Sequence, residues 1–249
     1  LIQNPIHKAL LTFQNCSVRY LLMGGQACIL YGGSEFSRDI DFSIGIDTKN
    51  ISAIKKALKC LKAETIFVPP LGKQVLRRGH ACHFRCNAEG VEGLRIDMMA
   101  KMRGCSDFEQ LWERRSIVKL PEIGEMGILS LPDLIQAKKT QREKDWPMIR
   151  RLIETDVTQG YRKAGKEKII FWLMECRTPV LLMEIARKNA ALCKNLIPTR
   201  SLLKAVLNQN VEEIESLLIQ EESAERKKDR EYWLPLKKEL EQWRLGRKS

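Results

Sequence analysis

Residues 39–42 read Asp-Ile-Asp-Phe, and they follow a glycine pair, Gly24-Gly25, after thirteen intervening residues. Acidic and apolar side chains alternate there, which predicts a strand. On a strand, residues i and i+2 share a face. Asp39 and Asp41 therefore point one way, and Ile40 and Phe42 point the other way, towards a core. Two carboxylates held side by side repel each other unless a cation neutralises them. Mg²⁺ takes oxygen ligands of this kind, typically one or two carboxylates with phosphates and waters. A chain carrying this stretch must bury one face of the strand against a covering layer while leaving the acidic face open.

The flanking residues extend the pattern. Residues 18–23 form an apolar run, predicted as a strand ending at the glycines. Residues 26–31 predict a short helix stopped by Gly32-Gly33. The start of a helix presents unpaired N–H groups, so Gly24 and Gly25 are candidates for contact with phosphate. A loop over residues 34–38 then leads to the acidic strand. Further along, Leu94-Arg-Ile-Asp-Met-Met99 predicts a second strand, entered through a turn at Gly90 and Gly93. Asp97 on that strand is the candidate third carboxylate. Arg95 shares its face, and a simple Asp97–Arg95 ion pair is the competing reading.

Other elements follow from periodicity. Residues 5–13 predict a helix with Pro5 near its start. Residues 48–62 predict another, with Ile51, Ile54, Leu58 and Leu61 in one stripe and its lysines on a solvated face. Residues 65–68 predict a strand stopped by Pro69-Pro70. His80, Cys82, His83 and Cys86 fall within seven residues, but a structural zinc site draws its ligand pairs from two separated segments. Alternation instead predicts a strand with Cys82, Phe84 and Cys86 inward and His83 and Arg85 outward, where either could face the site. Residues 122–126 read as a loop. Ser130 and Asp133 form a capping box for a helix predicted to run to residue 142. Beyond residue 146 the pattern is helical, with helices over residues 148–153, 166–176, 179–191, 201–207 and 211–220 and a long, solvent-flanked helix over 221–244.

Composition excludes some classes. The chain has 249 residues, 44% apolar and 30% charged. No apolar run approaches the roughly 20 residues that span a bilayer, and no charged-then-apolar leader is seen at its start, so no membrane association is expected. Eight scattered cysteines favour free thiols in a reducing cytoplasm. The net charge of +12 is spread over both halves and suits nucleic acid or nucleotide phosphates as partners.

Taken in order, Gly24-Gly25, a helix-length spacer and Asp39-x-Asp41 resemble the signature of the DNA polymerase β-like nucleotidyltransferase superfamily. A second segment strengthens the resemblance to its toxin-like and uncharacterised branches: Ser130-x-x-Asp-Leu-Ile-x-x-Lys138, followed by Arg142, Lys144 and Asp145. Ser37 holds the hydroxyl position of an Arg-x-Thr/Ser loop found in many relatives. Glu35 stands where those relatives carry Arg, and Arg38 directly precedes Asp39. The resemblance implies an α/β (α+β) fold, with a mixed sheet covered by helices in a catalytic core over residues 1–145 and a helical region over 146–249.

It also implies chemistry. Asp39, Asp41 and Asp97 would be catalytic and would hold Mg²⁺ or Mn²⁺. Gly24, Gly25, Ser37, Arg38, Lys138 and Lys144 would contact the nucleotide. The reaction would move a nucleoside monophosphate from an NTP such as ATP to an acceptor hydroxyl on RNA, protein or a small molecule, and a toxin–antitoxin pairing would supply an antitoxin partner. The alternative is a nucleotide- or nucleic-acid-binding protein without transfer.

Overall fold

The computed structural model describes residues 4–33 and 37–246. Two compact units divide them: residues 4–30, 37–137 and 231–246 form the first, and 31–33 with 138–230 form the second. The fold is α+β, a mixed sheet with helices on it followed by a run of helices. The division differs from the boundary at residue 145 that the sequence predicts. Lys138 and Asp145 are a buried ion pair within the second unit. The end of the last helix packs in the first.

The first unit contains α1 (Asn4–Asn15), β1 (Tyr20–Met23), α2 (Gly24–Leu30), β2 (Ile40–Ile44), α3 (Thr48–Cys60), β3 (Glu64–Thr65), α4 (Lys73–Arg78), β4 (Cys82–Arg85), β5 (Arg95–Met99), α5 (Phe108–Glu113), β6 (Ser116–Leu120), β7 (Gly124–Ile128) and most of α6 (Leu131–Lys138). The strands lie in the order β3-β4-β5-β2-β1-β7-β6. β2 runs parallel to β5 and antiparallel to β1. Ile40, Phe42, Ile96 and Met98 are fully buried, as the alternation requires. Phe42 packs between Phe13 of α1 and Tyr20 of β1, at ring-centroid distances of 4.8 and 4.6 Å. Burying side chains of this size contributes about 1.5–3 kcal/mol each. This fixes the register of β2, because a one-residue slip turns its aspartates into the core.

Asn50 pins the end of β2. Its side-chain amide donates to the carbonyls of Arg19 and Gly45 and its oxygen accepts from the Arg19 N–H, while Asp47 caps α3 through the Asn50 N–H. Residues 65–68 are not a strand as predicted. Only Glu64–Thr65 pair, and the chain then bends into Pro69-Pro70, which cannot donate to a ladder. Of residues 122–126, predicted as a loop, Glu122 and Ile123 do form a turn, while 124–126 are strand. They belong to the β6–β7 hairpin, turned by positive φ at Glu122 and Gly124.

The second unit continues with α7 (Asp145–Gly160), α8 (Lys166–Glu175), α9 (Pro179–Lys188), α10 (Ala190–Leu196), α11 (Leu202–Leu207) and the first part of α12 (Val211–Gly246). α6 ends at Lys138 instead of reaching residue 142. Thr140 and Arg142 turn back there to bond Asp145, at 2.5 and 2.8 Å. α12 is one helix of 36 residues, not two, because nothing at 220–221 breaks it. In the first unit its final turns meet α4: Glu239 pairs with Arg78 at 2.7 Å and with buried His80, and the Trp243 ring lies against the His80 ring at 4.8 Å, tilted by 46°. No helix among the described residues is long and apolar enough to cross a membrane.

Candidate active site

The open face of β2 and β5 carries the acidic residues. Asp41 and Asp97 are direct partners in the parallel ladder, so their side chains leave the sheet on the same face. Ile40 and Ile96, the preceding partners in the ladder, are buried on the other. Asp39 lies in a bend one residue ahead of β2, not on the strand as predicted, and its charge is felt at Arg95.

Gly24 explains why the glycine pair precedes this strand. It opens α2 with φ +64°, a left-handed conformation that suits glycine. A Cβ there would stand 1.9 Å from Asp41 Oδ2, so the carboxylate lies directly over the bare Cα. Gly24→Ala is therefore expected to lose about 1–2 kcal/mol through the backbone alone, with more from the overlap, and to push the Asp41 side chain off its position. Thermal unfolding with an activity assay checks this. A variant melting like wild type would show that Asp41 does not need the open Cα.

The loop before Asp39 is held from both sides. Gln26, buried in α2, donates from Nε2 to the Ser37 carbonyl at 2.8 Å, and Ser37 Oγ donates to the Asp39 carbonyl at 3.2 Å. Ser37 thus shapes the approach to Asp39 through the backbone. Arg38 is exposed beside it. Glu35 lies outside the described residues.

Asp97 is strongly engaged. Arg95 Nε donates to Oδ1 and its terminal nitrogen to Oδ2, both at 2.8 Å, a bidentate pair. His83, directly opposite on β4, donates from Nδ1 to Oδ1 at 2.8 Å. Burial acts to raise the Asp97 carboxyl, but the hydrogen bonds and charges of His83 and Arg95 outweigh it and hold the group below its ordinary value. The Asp97 hydrogen bonds keep Arg95 above its own ordinary value against the cost of burial, and the fields of Asp97, Asp39 and Asp41 add to this. One guanidinium thus sits within the field of all three carboxylates.

The ion pair that the sequence offered as the competing reading of Asp97 is therefore formed. The alternation over residues 81–86 holds as well. His83 faces Asp97, while Cys82 and Cys86 are buried, their thiols pushed up to about 11 by burial. His80 faces Glu239 instead. Among the described residues, no three His, Cys, Asp or Glu side chains stand together in an arrangement that holds a metal.

The remaining predicted contacts lie in the second unit. Lys138 is buried, with Nζ 3.2 Å from Asp145 Oδ1. Its charge is met by a carboxylate within the protein. Asp145 is buried and is no surface partner of Lys144, which is exposed. Sequence reasoning missed Phe67. Its ring is 46% exposed, stands edge-on to His83 at 5.8 Å, and lies 5.9 Å from the Arg95 guanidinium. The only sequence signal is an aromatic residue just ahead of Val68-Pro69-Pro70.

No protein-family model matches the chain, and no curated protein matches it. Two solved structures from Helicobacter pylori are similar over most of their length. One protein, provisionally described as a nucleotidyltransferase, is 16% identical with a TM-score of 0.39, over 90% of this chain and 93% of the other. The second, JHP933, is 15% identical with a TM-score of 0.35, over 93% of both chains. Likenesses of this size assign no role to any residue.

Proposed function

We propose that this protein is a nucleotidyltransferase that moves a nucleoside monophosphate from an NTP to an acceptor hydroxyl, releasing pyrophosphate. The observation carrying the proposal is the ladder register that sets Asp41 against Asp97, with Gly24 cleared beneath Asp41 and Asp39 in the bend that leads into the strand. Arg95 already neutralises Asp97, so the carboxylates left to a cation are Asp39 and Asp41, whose hard oxygens suit Mg²⁺ or Mn²⁺.

Asp39 and Asp41 would hold the metal, and Asp97 would join them once Arg95 releases its two oxygens. A divalent cation held there would supply charge neutralisation for the leaving pyrophosphate and would lower the pKa of the acceptor hydroxyl. The protein's own groups position the reactants. Arg95 is placed to exchange its carboxylate partner for a triphosphate oxygen, since guanidinium binds both bidentately. Asp97, released by that exchange, faces the acceptor and takes its proton, and His83 keeps the carboxylate oriented. Gly24, Gly25 and Arg38 border the phosphates in this reading. Lys138 would have to leave Asp145 before it could meet an added anion.

The basic charge favours RNA as acceptor, with protein or a small molecule as the other classes. A cytoplasmic setting and an antitoxin partner belong to the same proposal. The second reading, nucleotide binding without transfer, is favoured by one observation: both Asp97 oxygens are already taken by Arg95.

The test is incubation with each α-labelled NTP, Mg²⁺ or Mn²⁺, and total RNA with cell protein. The expected result is label on a macromolecule with wild type and none with Asp39→Ala/Asp41→Ala. Metal-dependent NTP binding with no label on any acceptor, small molecules included, would favour the second reading.

A further inference from the structure

Phe67 has no role in the chemistry above, yet it touches two of the groups that surround Asp97. Its ring meets His83 edge-on at 5.8 Å with planes 79° apart, and the Arg95 guanidinium lies 5.9 Å from its centroid. Leaving a phenyl ring 46% exposed forgoes much of the stabilisation its burial would supply. The segment carrying it is held in place. The Ile66 N–H donates to the His83 carbonyl at 3.0 Å, and Pro69 and Pro70 restrict the backbone that follows. The site therefore presents a fixed, half-open aromatic surface, and Arg95 joins that surface directly to Asp97.

We propose that Phe67 is a stacking platform for a nucleobase, placed so that the sugar or phosphate attached to that base reaches Arg95 and the acidic face. The proposal rests on the nucleotidyl-transfer reading and deepens it by naming a substrate subsite. Every base offers a π-face, so a single phenyl ring accepts any of them, and the guanidinium that lies over the Phe67 ring supplies a cation for the adjoining phosphate. The base comes either from the donor NTP or from the terminal nucleotide of an acceptor strand.

Two variants of the full chain test it. Phe67→Trp keeps a stacking surface and adds a reporter, read as the difference from wild-type tryptophan fluorescence. Its emission is expected to be quenched by ATP alone if the base is the donor's, or by a short RNA oligonucleotide alone if it is the acceptor's. Phe67→Ala is expected to raise the KM of that same substrate about tenfold or more, with kcat at saturation unchanged and a cooperative, modestly lowered thermal transition. Quenching of Phe67→Trp by nucleotide in a protein that transfers nothing would uphold the subsite and remove the transferase reading. Transfer by Phe67→Ala with both KM values within twofold of wild type would remove the subsite and leave the transferase. No quenching by either ligand would also overturn it.

Discussion

Asp41→Ala is expected to lower nucleotidyl transfer by at least about 10²–10³-fold, the scale seen when one preorganised electrostatic group is removed from a reaction centre, while leaving the fold intact. Both halves of this expectation have a physical basis. Asp41 faces the open side of the sheet between Gly24 and Asp97, so losing its carboxylate removes the central member of the acidic face. The register of β2 rests on Ile40, Phe42 and Ile44, which are buried on the other side and unchanged. Removing one of several like charges also relieves repulsion, so the thermal midpoint should hold or rise. Asp39→Ala should behave in the same way. Activity near wild type in either variant, with folding verified by circular dichroism, would separate the carboxylates from the chemistry.

Asp145→Ala should destabilise the second unit by about 3–5 kcal/mol, because it strands a buried charge. Lys138 is almost wholly enclosed, and Asp145 is its partner at 3.2 Å, with Thr140 and Arg142 completing the carboxylate's bonds. Burial acts to raise the Asp145 carboxyl, but Lys138, Thr140 and Arg142 outweigh it and hold the group below its ordinary value. A carboxyl depressed in the folded state contributes stability that is present above its unfolded value, near pH 3.9. That contribution is lost as pH falls through the folded value. Denaturant unfolding across pH 3 to 7 should therefore show an acid loss in wild type that is reduced in Asp145→Ala. Lys138→Met/Asp145→Leu should recover much of the stability, since replacing both partners leaves no buried charge. A single variant as stable as wild type would show that the pair is not what holds the start of α7.

The acidic strand was legible because two independent constraints agree on it. Period-two alternation places Asp41 opposite to Ile40 and Phe42, whose bulk leaves only one face able to be buried, although the strand starts at Ile40 and leaves Asp39 in the bend before it. The same logic placed His83 opposite the Cys82–Phe84 face and Arg95 beside Asp97. It did not reveal that His83 stands across from Asp97, because cross-strand register is set by pairing that no local pattern carries. Phe67 was hidden for the same reason: it looks like an ordinary apolar strand residue until β3 is seen to stop at Thr65. The β6–β7 hairpin escaped notice because its strands carry glycines, charges and an exposed Ile117, so their alternation is weak. The division of the chain was masked by α12. Its charged sequence shows a helix but not that its last turns return to Arg78 and His80.

The most direct test of the central claim compares two labels on one donor. Wild-type protein is incubated with Mg²⁺, an RNA or protein acceptor, and ATP labelled at either the α- or the γ-phosphorus, with the other three nucleoside triphosphates run in parallel. The account predicts that α-label becomes bound to the acceptor while γ-label leaves as pyrophosphate, in equal amounts. Transfer of γ-label to the acceptor would make the protein a phosphoryl-transfer enzyme and contradict the account.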